Sequence, residues 1–576
     1  MGWPWKFVSL DQDEIDLRRQ TLDRYAGLAQ LSAFVPVLLF LGYRLASWAY
    51  GAFEAKKGAY NAIPESPLRK VRRQGPLGVW ESQCRHLRWW LGDDVVFLGR
   101  TWGQRDEWVF GLTWGFWMLV LTVAETGDDY LHLTKRAGAI AMSQLPLQYL
   151  LALKSLNPVA YIFNSSHEHV NRYHRVLGRI IYTLLLVHAL LYLNFFVASG
   201  NLAEKLTTSR AVQTGMLGTL SMTLLNTTTL RLVRTYSYRI FFIVHLVVAM
   251  IIPPLIWFHA HHPRVFLVEA LVVLLADIIT RKFDTITAVA KLEKVPNTDL
   301  VKITAPVPKE KIQRFVTHPG SHIYLQIPAE GRPSDSPASA EHMVHGFLYN
   351  PFTVADVDAE TGDITLVARH LSGPMTTSLN QIASNNSRHD ATKIPLSIEG
   401  PYGVAGHLKT LAEGEFDRTL LVAGGVGATY TVPLYRALAK DNPDTQVQLI
   451  WAVRDVGDAS WATSGKAGQG FTEDEGVRVF VTAPEDKSPA TQGPGDVDVN
   501  VDVELTLLQR SGEVRHQLMR PNLKKIVDEM FQHGQDERVA VFFCGPTAMG
   551  RDLRNHVGVW VRKGRVVFWH SESFGW

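Results

Sequence analysis

Residues 174–188 read HRVLGRIIYTLLLVH and residues 245–259 read HLVVAMIIPPLIWFH, two fifteen-residue windows with histidine at both ends and an apolar filling. Positions fourteen apart on an α-helix are separated by about 21 Å along the axis and lie within roughly 40° of one face. Each window, if helical, therefore carries one histidine near each face of a bilayer whose hydrocarbon core is about 30 Å thick. The reading of these two windows decides the fold.

Runs long enough to cross a bilayer are expected at Gly27–Tyr50, Trp108–Ala124, Arg136–Leu153, Val176–Val197, Ala211–Leu230, Ile240–Phe258 and Val265–Thr280. The third and fifth are the most polar of the seven, being rich in Gly, Ser, Thr and Gln. The start, MGWPWKFVSLDQDEIDLRRQ, is polar and acidic where a secretory signal is basic and then apolar, so the first span is expected to stay in the mature chain. Lysine and arginine flank the spans unevenly. Lys56, the run RKVRR at 69–73, RLVRTYSYR before the sixth span, and Arg281 and Lys282 after the seventh fall on one side. Between them, ETGDD at 125–129 and the mildly charged SGNLAEKLTTSR fall on the other. The basic side is expected to be cytosolic, which puts the C-terminal half inside and the N-terminus outside. The sequons at Asn164, Asn226 and Asn385 then lie on the inner side.

Composition narrows the function. A formal charge of +3 on 576 residues excludes the clustered basic excess of a nucleic-acid binder. Two cysteines, Cys84 and Cys544, cannot make a disulfide framework or a cysteine metal site. The length calls for two to four domains, and the apolar residues are bunched in the first half.

The fourth and sixth spans run in the same direction, so His174 can face His245 on the inner side and His188 can face His259 on the outer side. Two readings fit. A histidine within a span is often an interhelical hydrogen-bond partner or the lining of a polar cavity. Four in two matched frames suit the axial ligands of two stacked bis-histidine haems. Pro253 and Pro254 are expected to kink the sixth span and alter the His245–His259 geometry. His167, His169, His261 and His262 stand nearby as substitutes. The outer run His259-Ala260-His261-His262 reads either as a metal-chelate contact or as a solvated turn.

After Lys282 the texture changes. TAVAKLEKV, DLVKITAPV, HIYLQIP and DITLVARHL read as short strands, and a small antiparallel barrel is expected. GRPSDSPASAEH (331–342) and ASNNSRHDATK (383–393) interrupt it as surface loops. TLLVAGGVGATYTVPLYRALA (419–439) is a strand, a glycine turn and a helix, the form that admits a pyrophosphate to a helix N-terminus. QLIWAVRD (448–455) is a second strand ending in Arg454. An acidic insert, PEDKSPATQGPGDVDVNVDVE, is expected to be disordered, and AVFFCGPTAM (540–549) is a further strand.

Taken together, NRYHRVLGR, the two histidine frames, GPYG, LVAGGVGAT, FFCGP and the closing HSESFGW resemble the ferric-reductase branch of the NADPH-oxidase superfamily, from about Asn157 to Trp576. The fold this implies is a membrane helical bundle of about seven helices plus a cytosolic ferredoxin-reductase-like module, an antiparallel β-barrel FAD domain and an α/β nucleotide-binding domain. The expected boundaries are 1–106 (first span and basic loop), 107–281 (six-helix bis-haem domain), 282–403 (FAD barrel) and 404–576 (NADPH domain).

The resemblance also implies site residues. Pro351, Phe352 and Thr353 lie against the flavin, with Asn350 departing from the usual histidine. Ser372, Gly373, Met375 and Thr376 lie at its pyrophosphate. Gly424, Gly425, Gly427 and Thr429 form the nucleotide turn, and Arg454 holds a 2′-phosphate. Cys544, Gly545 and Pro546 lie beside the nicotinamide, and Phe574 or Trp576 stacks on the flavin ring. His174, His188, His245 and His259 are metal ligands in that family's pattern. The implied cofactors are FAD, two b-type haems and NADPH. Electrons would run from NADPH through FAD and the haems to ferric or cupric chelates for iron uptake. The implied partners are those chelates, membrane lipid and an iron permease or oxidase, with no nucleic acid, and the implied location is the plasma membrane. An oxidase reducing dioxygen to superoxide, and a haem-free transport or sensing protein, are the other classes the sequence leaves open.

Overall fold

The computed structural model describes residues 4–55, 76–331, 349–371, 373–384, 392–403, 416–441, 445–463, 471, 474–482, 516–517, 519–534 and 537–572. The basic run at 69–73, Lys56, most of the two surface loops, the acidic insert, Ser372, Phe574 and Trp576 lie outside these residues. By internal contact the chain falls into two compact units. One joins the N-terminal 60 residues to 90–283, and the other joins 61–89 to 284–575.

The first unit is helical, apart from a hairpin of β1 (Asp94–Phe97) and β2 (Arg100–Gln104). Several of its helices start where the sequence supplies a side-chain acceptor for the free N–H groups of the first turn. Asp129 accepts from Leu131 and His132 at the head of Tyr130–Ser143. Ser166, Ser209 and Ser237 cap His167–Ala198, Arg210–Thr228 and Tyr238–His259 in the same way. Among the described residues, three segments are long and apolar enough to cross a membrane: Gln12–Ala49, His167–Ala198 and Tyr238–His259.

The other expected spans are helices that fall short of that measure. Arg105–Val123 opens on three charged residues, and Arg264–Asp284 carries Glu269 and Asp277. Arg210–Thr228 is rich in Thr, Ser and Gln. The third span is two helices, Tyr130–Ser143 and Leu145–Leu150, because Pro146 cannot continue the ladder of the first. Arg105–Val123, Arg210–Thr228 and Arg264–Asp284 still present apolar stripes outward: Leu112, Phe116 and Leu119; Met216, Leu220 and Leu224; Val268, Val272 and Leu275. Pro253 and Pro254 lie inside one helix that runs through to His259.

Within this unit Asp277, 2% exposed, accepts from the backbone N–H of Ser155 and Leu156 at 2.8 Å each. That satisfies donors in the link between two short helices. Arg136 is fully buried. It spans the carbonyls of Leu121 and Ala124 and His132 Nε2, with its guanidinium 4.1 Å from the centre of the Tyr25 ring.

The second unit begins with a closed barrel in the order β3 (Ile286–Lys294), β4 (Leu300–Pro306), β7 (Asp363–Arg369), β6 (Asn350–Asp358), β5 (His322–Gln326), β8 (Thr392–Tyr402), every pairing antiparallel. Along β3 the side chains of Ile286, Ala288, Ala290 and Leu292 alternate into the core while their neighbours face out, the period of two that a pleated strand requires.

The nucleotide-binding half is a parallel sheet in the order β12 (His516–Gln517), β11 (Val477–Val481), β10 (Gln446–Val453), β9 (Arg418–Gly424), β13 (Arg538–Cys544), β14 (Val566–Glu572). Its central strands are continuous apolar runs because helices cover both faces. Chain order reverses at β9, whose neighbours are β10 and β13, and such a switch point opens a crevice at the strands' carboxyl ends.

Trp89 belongs to this second unit. Arg554 donates from Nη2 to the Trp89 carbonyl at 2.8 Å and lies 4.2 Å from the centre of its ring. A Cβ on Gly558 would stand 3.0 Å from Trp89 Nε1, so the glycine makes the seat.

Candidate functional site

The four framing histidines meet in two pairs. The ring centres of His174 and His245 are 6.3 Å apart, and those of His188 and His259 are 6.1 Å apart. Three of the four are held from behind. His174 Nδ1 donates to the Gln148 carbonyl (2.9 Å), His188 Nδ1 to the Thr134 carbonyl (2.8 Å) and His259 Nδ1 to the Ala211 carbonyl (2.8 Å). A carbonyl can only accept, so each bond fixes the tautomer and leaves Nε2 as the lone-pair nitrogen.

Two glycines on neighbouring helices make room. A Cβ at Gly138 would stand 2.7 Å from His188 Nδ1, and one at Gly215 would stand 2.6 Å from His259 Cε1. Gly178 does the same for the Gln148 side chain, at 3.0 Å. The composition of the third and fifth spans, which looked weak for a membrane helix, is what seats the imidazoles.

A metal held by one nitrogen of each ring, at about 2.0–2.1 Å per bond, sets the two ring centres roughly 6 Å apart. The observed separations match that value, and a ligating histidine characteristically donates its second ring N–H to a carbonyl. The donor set therefore fits bis-histidine ligation at both positions. His262 instead pairs with Asp23 at 3.0 Å on the surface, and His259 turns inward to His188, so the outer histidine run is divided between two roles.

In the barrel, β6 brings Thr353 opposite His322 of β5, and both are buried. His322, Tyr324 and Tyr402 form an aromatic cluster with ring centres 5.6–6.1 Å apart, and Tyr402 Oη donates to Glu399 Oε1. Asn350, Pro351 and Phe352 are half-buried at the head of the same strand.

Downstream, Gly373 precedes the helix Pro374–Ser384. Thr376 Oγ1 donates to the Leu371 carbonyl (2.9 Å) and accepts from its N–H (3.2 Å), closing the loop in front of that helix. The Met375 side chain is in the barrel core, which leaves its backbone as the part able to meet a phosphate.

At the sheet's switch point, β9 ends in Gly424, and the turn Gly425–Gly427 leads into the helix Ala428–Asp441. Gly425 has φ +57°, a left-handed conformation open to glycine at little cost. A Cβ at Gly427 would stand 2.0 Å from the Cys544 carbonyl oxygen, and one at Gly424 would stand 2.5 Å from Pro546 Cδ. The glycine turn and the Cys544-Gly545-Pro546 turn thus pack backbone to backbone, and the glycines are required for that closeness. Thr429 Oγ1 donates to the Val426 carbonyl (2.9 Å) and fastens the first helical turn. Arg454 follows β10 and is exposed, next to the strand that ends in Gly424.

Cys544 is buried, and its thiol is pushed up to about 12 by burial first and by the negative charge of Glu572 second. It is therefore a neutral thiol rather than a nucleophile. Its register partner on β14 is Glu572, which pairs with His570 at 3.0 Å, and the His570 ring centre lies 6.0 Å from that of Tyr430. Burial likewise raises the Tyr430 phenol well above its ordinary range.

Sequence reasoning passed over Gly138, Gly215, Gln148, the His322–Tyr324–Tyr402 cluster and the His570–Glu572 pair. It also passed over Arg369, which ends β7, pairs with Asp458 at 3.1 Å and sits where a Cβ of Gly425 would be 3.2 Å from its Nη1. The small residues of RAGAIAM were the one available sign of the first glycine.

Three family models match in the order of this architecture. They are the ferric reductase like transmembrane component over residues 137–256, the FAD-binding domain over 286–406 and the ferric reductase NAD binding domain over 416–558. The chain carries all three domains of a ferric reductase. The ferric reductase domain contains His174, His188 and His245 and stops three residues short of His259.

Among similar proteins, a probable metalloreductase AIM14 of Meyerozyma guilliermondii is 23% identical over 78% of this chain and 84% of its own length. The ferric/cupric reductase transmembrane component 2 of Schizosaccharomyces pombe is 22% identical over 76% of this chain and 80% of its own. An Amycolatopsis cytochrome P450 reductase structure covers 50% of this chain and 70% of its own, at 15% identity and a TM-score of 0.31. The chain is a membrane oxidoreductase with FAD- and NAD(P)-binding domains.

Proposed function

We propose that this ferric reductase takes electrons from cytosolic NADPH and delivers them through FAD and two haems to ferric or cupric chelates on the opposite face of the plasma membrane. The observation that carries this reading is the double pairing of histidines at 6.3 and 6.1 Å, with Nδ1 tied back in three of them so that Nε2 is the lone-pair nitrogen; at His174 that lone pair meets the Gln148 amide at 3.4 Å. The relatives' printed names, metalloreductase and ferric/cupric reductase, support the acceptor class.

When bound, the cofactors supply the hydride acceptance and single-electron steps, while the chain supplies placement and tuning. The barrel's Thr353 and the loop 371–377 hold the flavin, and Gly424–Gly427 admits a pyrophosphate to the helix N-terminus. The exposed guanidinium of Arg454 selects the 2′-phosphate. Cys544, neutral and buried between β9 and β14, closes the floor at the nicotinamide. Phe574 or Trp576 is the shield over the flavin ring. The working division is 1–106, 107–281, 282–403 and 404–576.

The test is NADPH oxidation by purified full-length protein in proteoliposomes. Reduction of an impermeant ferric chelate on the far side, in proportion to NADPH consumed, supports the reading. Superoxide formed in the same proportion, with no chelate reduced, overturns it in favour of an oxidase.

A further inference from the structure

We propose that the two metal positions are unequal, with the haem held by His174 and His245 at the higher reduction potential, because one of its two imidazoles lacks an acceptor for Nδ1–H. The inference rests on the haem reading above and goes beyond it.

His174, His188 and His259 each donate Nδ1–H to a backbone carbonyl at 2.8–2.9 Å. His245 Nδ1 is buried with no hydrogen-bond partner among the described residues. The bond matters because an imidazole that shares its second N–H is a more basic ligand. A more basic axial ligand favours the ferric state and lowers the potential. His188 and His259 both have this support, whereas of the other pair only His174 has it.

Nearby charge acts in the same direction as the missing bond, because Arg175 bears electrostatically on His174 and a positive charge disfavours the ferric form. Arg234 lies 5.7 Å from the ring of Phe241, whose own ring centre is 5.5 Å from that of His245. Arg210 lies 5.2 Å from the ring of Phe258, the neighbour of His259. Each pair thus has an arginine over an adjacent phenylalanine, and what distinguishes the pairs is the missing carbonyl bond at His245 together with the charge of Arg175 beside His174.

The consequence is directional. A haem held by His174 and His245 would be the more easily reduced of the two, and one held by His188 and His259 would be the stronger reductant. Transfer from the first to the second would then be uphill and would be drawn forward by the acceptor. Such an order suits acceptors that are themselves hard to reduce.

The test is a potentiometric titration of full-length protein in nanodiscs, followed at the haem α band, with wild type, His188→Ala, His174→Ala and Phe241→Gln. Two components are expected in the wild type. The component that survives in His188→Ala should be the higher one, and the component that survives in His174→Ala the lower. Phe241→Gln places a side-chain carbonyl one turn before His245 and should lower the higher component alone. A tenfold change in preference for the ferric form corresponds to a shift of about 59 mV for one electron. If the component surviving in His188→Ala is equal or lower, or if Phe241→Gln moves neither, the inference is overturned. Should a histidine variant fail to fold, Phe241→Gln in the otherwise intact protein still decides. Absence of α bands from the wild type would instead remove the haem reading beneath it.

Discussion

His188 on the helix His167–Ala198 and His259 at the end of Tyr238–His259 stand with ring centres 6.1 Å apart, each anchored through Nδ1 to a carbonyl of a third or fourth helix. Four helices therefore converge on one pair of imidazoles. The neighbouring pair at His174 and His245 repeats the spacing fourteen residues earlier on both helices.

The glycines behind these rings are testable. Gly138→Val and Gly215→Val add bulk where even a Cβ falls 2.6–2.7 Å from imidazole atoms. Each should displace its histidine and halve the haem content, from two per chain to one, while NADPH still reduces the flavin. Pyridine haemochrome assay against bound FAD measures the ratio, and two haems retained in either variant would count against the packing argument.

In the nucleotide domain, Gly427→Ala meets a backbone oxygen at 2.0 Å, which cannot rotate away, whereas Gly425→Ala meets the end of a flexible arginine at 3.2 Å but must adopt φ +57°. The first should cost on the order of 3 kcal/mol or more, through overpacking against backbone. The second should cost about 1–2 kcal/mol. Thermal unfolding of the two full-length variants should rank them in that order, and a reversed order would contradict the backbone contact.

Arg454 should set coenzyme choice. Arg454→Ser removes a charge-assisted contact of about 1.5–3 kcal/mol, so KM for NADPH should rise roughly 10–100-fold with little change for NADH. Equal losses with both coenzymes would mean that Arg454 does not meet the 2′-phosphate.

Cys544 should resist alkylation. Its folded-state pKa is raised to about 12, so the folded protein keeps that proton more tightly than the unfolded chain does. The resulting stability is complete below the unfolded thiol's range, near pH 8.5, and is lost as pH rises from there toward 12. Iodoacetamide at pH 8 should label the half-buried Cys84 and spare Cys544 until the protein is unfolded. Rapid labelling of Cys544 in the native state would show that the thiol is not neutral.

The apolar helices, the presence of the barrel and sheet strands and the facing of the four histidines were legible in the sequence, because each is written locally: long apolar runs for the spans, short β-branched runs between turn signals for the strands, a spacing of fourteen for the histidines. The pairings that hold the rings were not. Gly138 and Gly215 matter through what they lack, and the carbonyls of Gln148, Thr134 and Ala211 carry no side-chain signature. Pro146 divides a helix that hydropathy alone joins, whereas Pro253 and Pro254 lie within a single helix that carries both His245 and His259 into their pairings. His322, Tyr324 and Tyr402 come together only when β5 pairs with β8, across a sequence separation no local pattern records.

The most direct test of the central claim is the dithionite-reduced minus oxidised spectrum of the purified protein beside those of His188→Ala and His259→Ala, each normalised to bound FAD. Two b-type haems per chain in the wild type and one in each variant, with flavin unchanged, is the expected result. Wild-type protein that carries flavin but shows no haem bands, or variants that keep both haems, would contradict it.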